Sequence, residues 1–259
     1  MSRFDHLEMD RASLPWPDDD RGKDQVDYHY FLDKASIAFS EGNYERALTL
    51  YSRSLEFDIS LEEAWLGQIR CLIELHELQE AVIWSDRALE HLPNNAQILA
   101  ARAVTSLRMN DPGTAAQYSD AATASKSVTA YVWIARGEVL LVRNAINSKA
   151  CFMKAVEIAP TAETHTSIAR AYMAHDGYHE ALTFFRNALR INPELYICWY
   201  WMGCCLERLG EIGEAMTAYH RSAAANPSFV PSRDAKRRLE SGGLIWRIGQ
   251  KAKRLFHHR

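Results

Sequence analysis

The chain has 259 residues and a formal net charge of −3, with 47% hydrophobic and 24% charged residues, the composition of an ordinary soluble globular protein. It contains no run of 18 or more apolar residues and begins with an acidic segment, so we expect neither a transmembrane helix nor a secretory signal peptide. Its five cysteines are irregularly spaced, which argues against a disulfide framework and favours the reducing cytoplasm.

The two ends of the chain carry opposite charge. Residues 1–27 contain eight acids and four bases, whereas residues 227–259 contain nine bases and two acids. The first segment is polar and is interrupted by Pro15 and Pro17, so we predict a disordered acidic arm over residues 1–27. We interpret it as a plain linker in which Trp16, between the two prolines, rests on the folded region that follows. The alternative is that Trp16 belongs to an extended docking motif.

Between residues 28 and 229 the sequence repeats itself. An alanine recurs within four similar segments, at Ala47, Ala81, Ala181 and Ala215. Ala47 and Ala81 are 34 residues apart, as are Ala181 and Ala215. Trp65 and Trp199 each stand sixteen residues before one of these alanines. Apolar residues within each segment fall at helical spacing, which predicts pairs of amphipathic helices.

These spacings resemble the tetratricopeptide repeat, a 34-residue helix–turn–helix unit. On this resemblance we divide residues 28–229 into six units: 28–61, 62–95, 96–129, 130–161, 162–195 and 196–229. Units 3 and 4 fit least well, because Ser119 and Ser148 replace residues that the pattern expects. The resemblance implies an all-α fold, a right-handed α-solenoid of six stacked repeats followed by a capping helix over residues 230–241.

The residue types at the repeated positions have a physical reason. Small residues, such as Ala47 and Gly203, let two antiparallel helices approach closely. Glycines between the paired helices, Gly42, Gly177 and Gly210, predict the tight turns. Prolines at the end of several units stop the second helix.

In the resembled family, fixed positions on each first helix line a concave groove that holds a partner. Carried over to this chain, the resemblance implies a partner groove lined by Leu32, Phe39, Leu66, Arg70, Ile73, Val104, Leu107, Arg108, Tyr131, Ile134, Glu138, Leu141, Arg170, Met173, Tyr200, Cys204 and Arg208. The apolar members form a stripe that suits an amphipathic helix or an extended apolar peptide. The alternative is that some of them pack against neighbouring helices and expose little area.

The stretch from Ile197 to Cys205 contains three of the five cysteines, Cys198, Cys204 and Cys205. The repeat places this stretch on the first helix of unit 6. Adjacent residues point about 100° apart on a helix, so Cys204 and Cys205 are poorly placed to share a metal ion. We interpret the stretch as packing and groove lining, with a reactive Cys204 as the alternative. Trp201 stands at a normally polar position and has no assigned role.

Residues 242–259 predict a basic amphipathic tail. As a helix, the tail places apolar residues on one side and basic residues on the other. Its contact residues are predicted to be Trp246, Arg247, Lys251, Arg254, Leu255 and Phe256. Such a helix docks on a partner, folds back on its own acidic solenoid, lies on an anionic membrane or touches nucleic acid. Nucleic acid is the least favoured, because the repeats contain no second basic patch with aromatic residues.

No catalytic motif occurs in the sequence: it has no phosphate-binding glycine loop, no nucleophile elbow and no Cys-x-x-Cys pair. His175 and His179 have the i, i+4 spacing of metal ligands, but the predicted turn separates them. We therefore predict a non-catalytic cytoplasmic scaffold or adaptor, without cofactor or metal. Its groove would bind a protein partner, and its tail would make a second contact. The alternatives are a peripheral membrane protein that binds anionic lipid through the tail, and a regulatory subunit of an enzyme complex.

Overall fold

A computed structural model describes residues 28–125, 128–142 and 145–241, except for the side chain of residue 145. Every regular element within these ranges is a helix, so the predicted all-α architecture is confirmed. The helices are α1 (Tyr28–Ser40), α2 (Tyr44–Phe57), α3 (Glu62–Glu74), α4 (Leu78–His91), α5 (Ala96–Arg108), α6 (Pro112–Thr123), α7 (Ala130–Leu141), α8 (Ala145–Ile158), α9 (Ala162–Ala174), α10 (Tyr178–Ile191), α11 (Tyr196–Arg208) and α12 (Ile212–Ala225). A last helix, α13, spans residues 230–241.

The chain divides into two compact units, residues 1–155 and residues 156–259. The first unit contains α1 to α7 and most of α8. In it α1 packs on α2 and α5 on α6, and the odd-numbered helices also contact one another, α1 with α3, α3 with α5 and α5 with α7. The second unit contains α9 to α13, and in it α9 packs on α10, α10 on α11 and α11 on α12. Both units are therefore built from helix–turn–helix pairs.

Small residues bring the paired helices into contact, as the repeat pattern predicts. Ala47, Ala81, Ala181 and Ala215 are fully buried, each with 0% of its surface exposed. Gly203 of α11 faces the ring of Tyr219 on its paired helix α12, and a Cβ atom there would lie 2.6 Å from that ring. Gly67 of α3 faces Tyr51 of α2, the second helix of the preceding pair, and a Cβ atom there would overlap that ring. In both cases an aromatic residue of a second helix fills the space that glycine leaves on a first helix, once within a pair and once between neighbouring pairs.

Five of the turns within the helix pairs, all those that the structure describes in full, share one backbone geometry. Gly42, His76, Asn110, Asp176 and Gly210 all have positive φ, between 58° and 82°. In the second unit the left-handed residue is Asp176, while Gly177 has an ordinary φ of −78°. The prediction that Gly177 supplies this turn is therefore wrong by one residue. The N–H of Gly177 instead donates to the carbonyl of Tyr172 at 2.9 Å, which closes the helix end. Aspartate, asparagine and, here, histidine replace glycine because the left-handed region is open to them at modest cost.

The capping helix α13 is present and packs on the second unit. Ala235 of α13 is buried, with 8% exposed. The hydroxyl oxygens of Ser222 on α12 and Ser232 on α13 lie 2.5 Å apart, and Ser222 also donates to the carbonyl of Tyr196 at 2.7 Å. These contacts join α13 to the last helix pair. The predicted arm over residues 1–27, with Trp16, and the predicted tail over residues 242–259 lie outside the described residues.

Candidate functional site

The predicted groove residues lie on what we call the first-helix face, the surface of α1, α3, α5 and α7 in the first unit and of α9, α11 and α13 in the second. Six apolar members in the first unit are only 3–9% exposed: Leu32, Leu66, Ile73, Val104, Leu107 and Ile134. They are covered because neighbouring first helices contact each other. The predicted apolar stripe is therefore largely core in this unit, and it offers a partner little area.

All but one of the remaining predicted residues are at least partly accessible. Phe39, Arg70, Arg108, Tyr131, Leu141, Arg170, Met173, Tyr200 and Cys204 are half-buried, Arg208 is exposed, and Glu138 is buried with 3% exposed. The surface that a partner would meet is thus made mainly of aromatic rings and charged groups, with Leu141 and Met173 as its aliphatic members.

Arg70 is the centre of the first-helix face in the first unit. Its guanidinium carbon lies 4.4 Å from the ring centroid of Phe39 and 5.0 Å from that of Tyr131. The three residues come from α1, α3 and α7, which are not consecutive helices. A guanidinium between two aromatic faces is held by cation–π attraction. The stack therefore joins three helices into one platform.

A buried ion pair lies next to this platform. The Nε atom of Arg108 donates to Oε1 of Glu138 at 3.0 Å, and the two side chains are only 14% and 4% exposed. Burial opposes the charged form of Arg108, but the carboxylates of Glu138 and Glu74 outweigh it and raise the pKa of the guanidinium. The pair is a structural element, because separating these charges would leave one of them desolvated.

Tyr131 shares the same surroundings. Burial raises the pKa of its hydroxyl to about 12, the nearby Arg70 lowers it in part, and Glu138 raises it again. The phenol therefore stays protonated at neutral pH. Together the first-helix face of this unit combines two arginines, Arg70 and Arg108, with the carboxylates of Glu74 and Glu138, so its local charge is balanced. This arrangement suits a ligand with both polar and aromatic groups rather than a simple anion.

The second unit has its own aromatic and cationic cluster. The guanidinium carbon of Arg170 on α9 lies 4.4 Å from the ring centroid of Trp201 on α11. Tyr200 meets the same indole edge to face, with ring centroids 5.0 Å apart. The indole Nε1 of Trp201 is buried, and it has no hydrogen-bond partner among the described residues. Trp201 thus lies beside two of the predicted groove residues, Arg170 and Tyr200.

Glu207 connects α11 to α12 and α13. It accepts a hydrogen bond from the hydroxyl of Tyr219 at 2.9 Å and another from Nη2 of Arg238 at 2.8 Å. Arg238 lies 34 residues after Cys204, so it occupies the same repeat position one helix pair later. The capping helix therefore continues the first-helix face of this unit.

Arg208 lies near Asp176 at the exposed end of α11. Its Nη2 atom is 3.6 Å from Oδ1 of Asp176, and its guanidinium carbon is 5.4 Å from the ring centroid of Tyr178. Both charged side chains are well exposed, so water screens the pair and its contribution to stability is small.

The predicted groove omits several residues of these clusters, among them Arg238 and Trp201. Arg238 could have been found by extending the 34-residue register past residue 229, because it follows Cys204 by one repeat length. Trp201 carried a weaker signal, its unusual residue type, but the sequence alone did not pair it with Arg170.

The cysteines lack the features of a reactive site. All five are free thiols. Cys204 is half-buried, and the other four are buried. Burial raises the pKa of Cys204 above its usual range, and it raises the pKa of Cys205 to about 12 and of Cys198 to about 11. These sulfurs therefore remain protonated at neutral pH, and a protonated thiol is a weak nucleophile.

Neither a metal cluster nor a membrane-spanning helix is found within the described part of the chain. There, no group of three or more histidine, cysteine, aspartate or glutamate side chains is placed to hold a metal ion. No helix of residues 28–125, 128–142 or 145–241 is both long and apolar enough to cross a membrane. The predicted tail contacts, Trp246, Arg247, Lys251, Arg254, Leu255 and Phe256, lie outside the described residues.

Comparison with known proteins agrees with the helix–turn–helix architecture. The family model described as tetratricopeptide repeat matches residues 32–96 and 166–229. A solved tetratricopeptide repeat protein of Thermus thermophilus superposes with a TM-score of 0.53 and 19% sequence identity, and the match covers 69% of this chain and 98% of that protein. At this identity the likeness concerns the fold alone.

Among curated proteins, the matches are short. The peroxisomal targeting signal receptor of Kluyveromyces lactis is 31% identical over 71 residues, which are 27% of this chain and 12% of the receptor. Subunit 3 of the anaphase-promoting complex of Schizosaccharomyces pombe is 30% identical over 79 residues, which are 30% of this chain and 12% of the subunit. The alignments thus span about an eighth of the length of these relatives.

Proposed function

The chain is a tetratricopeptide repeat protein, and we propose from this premise that it is a non-catalytic interaction scaffold. Its first-helix faces would hold a peptide or a helix of a partner protein. Two relatives carry names of the same kind, a receptor for a targeting signal and a subunit of a complex. Solenoids built from repeats offer extended surfaces of this sort to their partners.

The observation that carries the proposal is the stack of Arg70 between Phe39 and Tyr131. Three helices contribute to it, and their side chains are positioned before any partner arrives. A surface ordered in advance loses less entropy on binding. Aromatic residues and arginine are also the types most often found at the energetic centre of interfaces. The stack therefore supplies the anchor that the buried aliphatic residues of this face do not.

A display experiment tests the first-helix face directly. A phage-displayed library of natural peptide segments is selected on the full chain, and the selected peptides are then measured against Arg70→Glu and Arg208→Glu. Because these changes reverse a charge on the face, we expect the affinity to fall about tenfold or more for peptides held there. Arg46→Glu, an exposed arginine on the second helix α2, is the matched control and is expected to bind like the unchanged chain.

The proposal fails if the selected peptides bind Arg70→Glu and Arg208→Glu as tightly as they bind the unchanged chain. Circular dichroism of each variant shows whether it is folded. Variants at Leu66 or Ile134 are unsuitable for this purpose, because both side chains are buried at 7% exposed and a charge there would disturb the core.

We extend the proposal to the tail, residues 242–259, as a second contact with the same partner. The support is its sequence, which pairs an apolar side with a basic side. A full-length partner identified by the display experiment should bind the chain lacking residues 242–259 more weakly, while its isolated peptide should bind both forms equally. Flotation with anionic liposomes that depends on the tail would assign these residues to lipid instead.

A further inference from the structure

A second concave surface lies on the other side of α11 from its first-helix face. An open cavity of ≈ 500 Å³ runs between α10 and α12, and Trp199, Met202 and Leu206 of α11 contribute to its floor. Arg186 and Arg190 of α10 and Arg221 of α12 stand on its rim. Its volume is in the range of pockets that hold ligands.

The same place in the first unit is filled. The repeat register relates each position of the second unit to the position 134 residues earlier, so Trp199 corresponds to Trp65. The two indoles are held alike: Nε1 of Trp65 donates to the carbonyl of Ile59 and Nε1 of Trp199 to that of Pro193, each at 2.8 Å. The two sites can therefore be compared residue by residue.

Trp65 is covered by two aromatic neighbours. The ring of Trp84 lies 5.9 Å from it and that of His91 lies 5.7 Å from it, centroid to centroid, and Trp65 is only 2% exposed. The register places Ala218 where Trp84 stands and residue 225, also alanine, where His91 stands. Ala218 lines the cavity, so the cavity of the second unit lies where the ring of Trp84 stands in the first.

The rim also changes character between the two units. Arg186 and Arg190 correspond to Ser52 and Glu56 of the first unit. Arg221 corresponds to Arg87, so the arginine at this position is common to both units; its guanidinium carbon lies 4.7 Å from the ring centroid of Trp199, as that of Arg87 lies 4.9 Å from that of Trp84. One carboxylate, Glu214, also lines the cavity, so three cations against one anion leave the site with a net positive charge.

We propose that this cavity binds an acidic segment of a partner protein through a bulky aromatic side chain of that segment. The aromatic ring takes the place that Trp84 has in the first unit and packs beside Trp199. Carboxylates on either side of it pair with Arg186 and Arg190, whose planar guanidinium groups suit carboxylates. The net positive charge of the rim favours segments rich in carboxylates, and the space beside Trp199 favours segments that carry an aromatic side chain. This site is separate from the first-helix face and does not depend on the function proposed for it.

The test uses a fluorescein-labelled peptide, Asp-Glu-Asp-Trp-Asp-Glu-Asp, and fluorescence polarisation with the full chain. We expect saturable binding that weakens about tenfold or more when alanine replaces the tryptophan, and likewise when asparagine and glutamine replace the acids. Added salt should weaken binding of the acidic peptide, because charged rim contacts are screened.

Two variants copy the first unit into the second. Ala218→Trp fills the cavity with the residue that fills it in the first unit, and Arg186→Ser with Arg190→Glu reproduces the rim found there. Each should lower the affinity about tenfold or more. The rim variant changes exposed side chains only, so it tests the proposal even if Ala218→Trp disturbs folding. Arg46→Glu on α2 is the control for a general loss of positive charge, and it should bind the peptide normally.

Three outcomes would overturn the proposal. The first is no saturable binding of the acidic tryptophan peptide to the full chain. The second is binding that neither the rim variant nor a folded Ala218→Trp reduces. The third is binding that is seen only after Asp18, Asp19 and Asp20 are replaced by asparagine, because the occupant would then be the acidic segment of this chain itself rather than a partner.

Discussion

Replacing Glu138 by leucine tests the buried ion pair beside the Arg70 platform. The change removes the carboxylate that lies 3.0 Å from Nε of Arg108, whose side chain is 14% exposed. Removing one partner of a buried pair costs about 3–5 kcal/mol, because the other charge stays desolvated. Glu74 also acts electrostatically on Arg108, so we expect the lower end, about 3 kcal/mol. Changing both residues together, Arg108→Met with Glu138→Leu, should cost less than about 1 kcal/mol, since no charge is then left buried.

The free energy of unfolding is measured by urea titration followed by circular dichroism, and hydrogen exchange of α5 and α7 shows whether the loss is local. The exposed pair Arg53 and Glu56 on α2 provides the control, with a 2.8 Å separation and side chains 31% and 38% exposed. Glu56→Leu should change the free energy of unfolding by less than about 1 kcal/mol. The reasoning is refuted if Glu138→Leu costs no more than Glu56→Leu, or if the double variant is as unstable as Glu138→Leu alone.

Three further outcomes follow from the packing. Gly67→Ala should lower the free energy of unfolding by about 1–3 kcal/mol, because the added Cβ meets the ring of Tyr51. Gly213→Ala, where nothing lies within 4 Å of the added Cβ, should be neutral or slightly stabilising in thermal melts, and equal effects of the two changes would contradict this. The helix α6 buries only three small residues, so its amides should exchange with deuterium earlier than those of α10, and equal protection would count against the argument. Cys204 should react slowly with iodoacetamide at pH 8 until urea unfolds the chain, because burial raises the pKa of its thiol. Alkylation in the folded protein as fast as that of an unfolded cysteine would contradict this and show an activated thiol.

The sequence predicted the helices well because the 34-residue register constrains every position at once. It misplaced one turn because glycine is not the only residue that enters the left-handed region, and Asp176 does so one position before Gly177. The register also identified which side chains lie on the first-helix face. It could not tell Leu66, which is buried, from Arg70, which is half-buried, because exposure depends on how closely the next helix approaches.

The cavity beside Trp199 also depends on how the helices pack. The aligned repeats show alanine at position 218 where tryptophan stands at position 84, but many positions of the repeat hold alanine, so this one does not by itself predict a cavity. The cavity forms because α10, α11 and α12 surround the space that the absent ring would fill, and this arrangement is seen only in the structure.

The stack of Arg70 with Phe39 and Tyr131 has a mechanical consequence. Any bending that moves α1 away from α7 must pull the guanidinium off at least one ring. Each such contact is worth about 0.5–1 kcal/mol at a partly exposed site, which is close to thermal energy. The stack is therefore a weak link between α1, α3 and α7 beside their buried core, and a ligand that displaces Arg70 breaks this link at low cost in free energy.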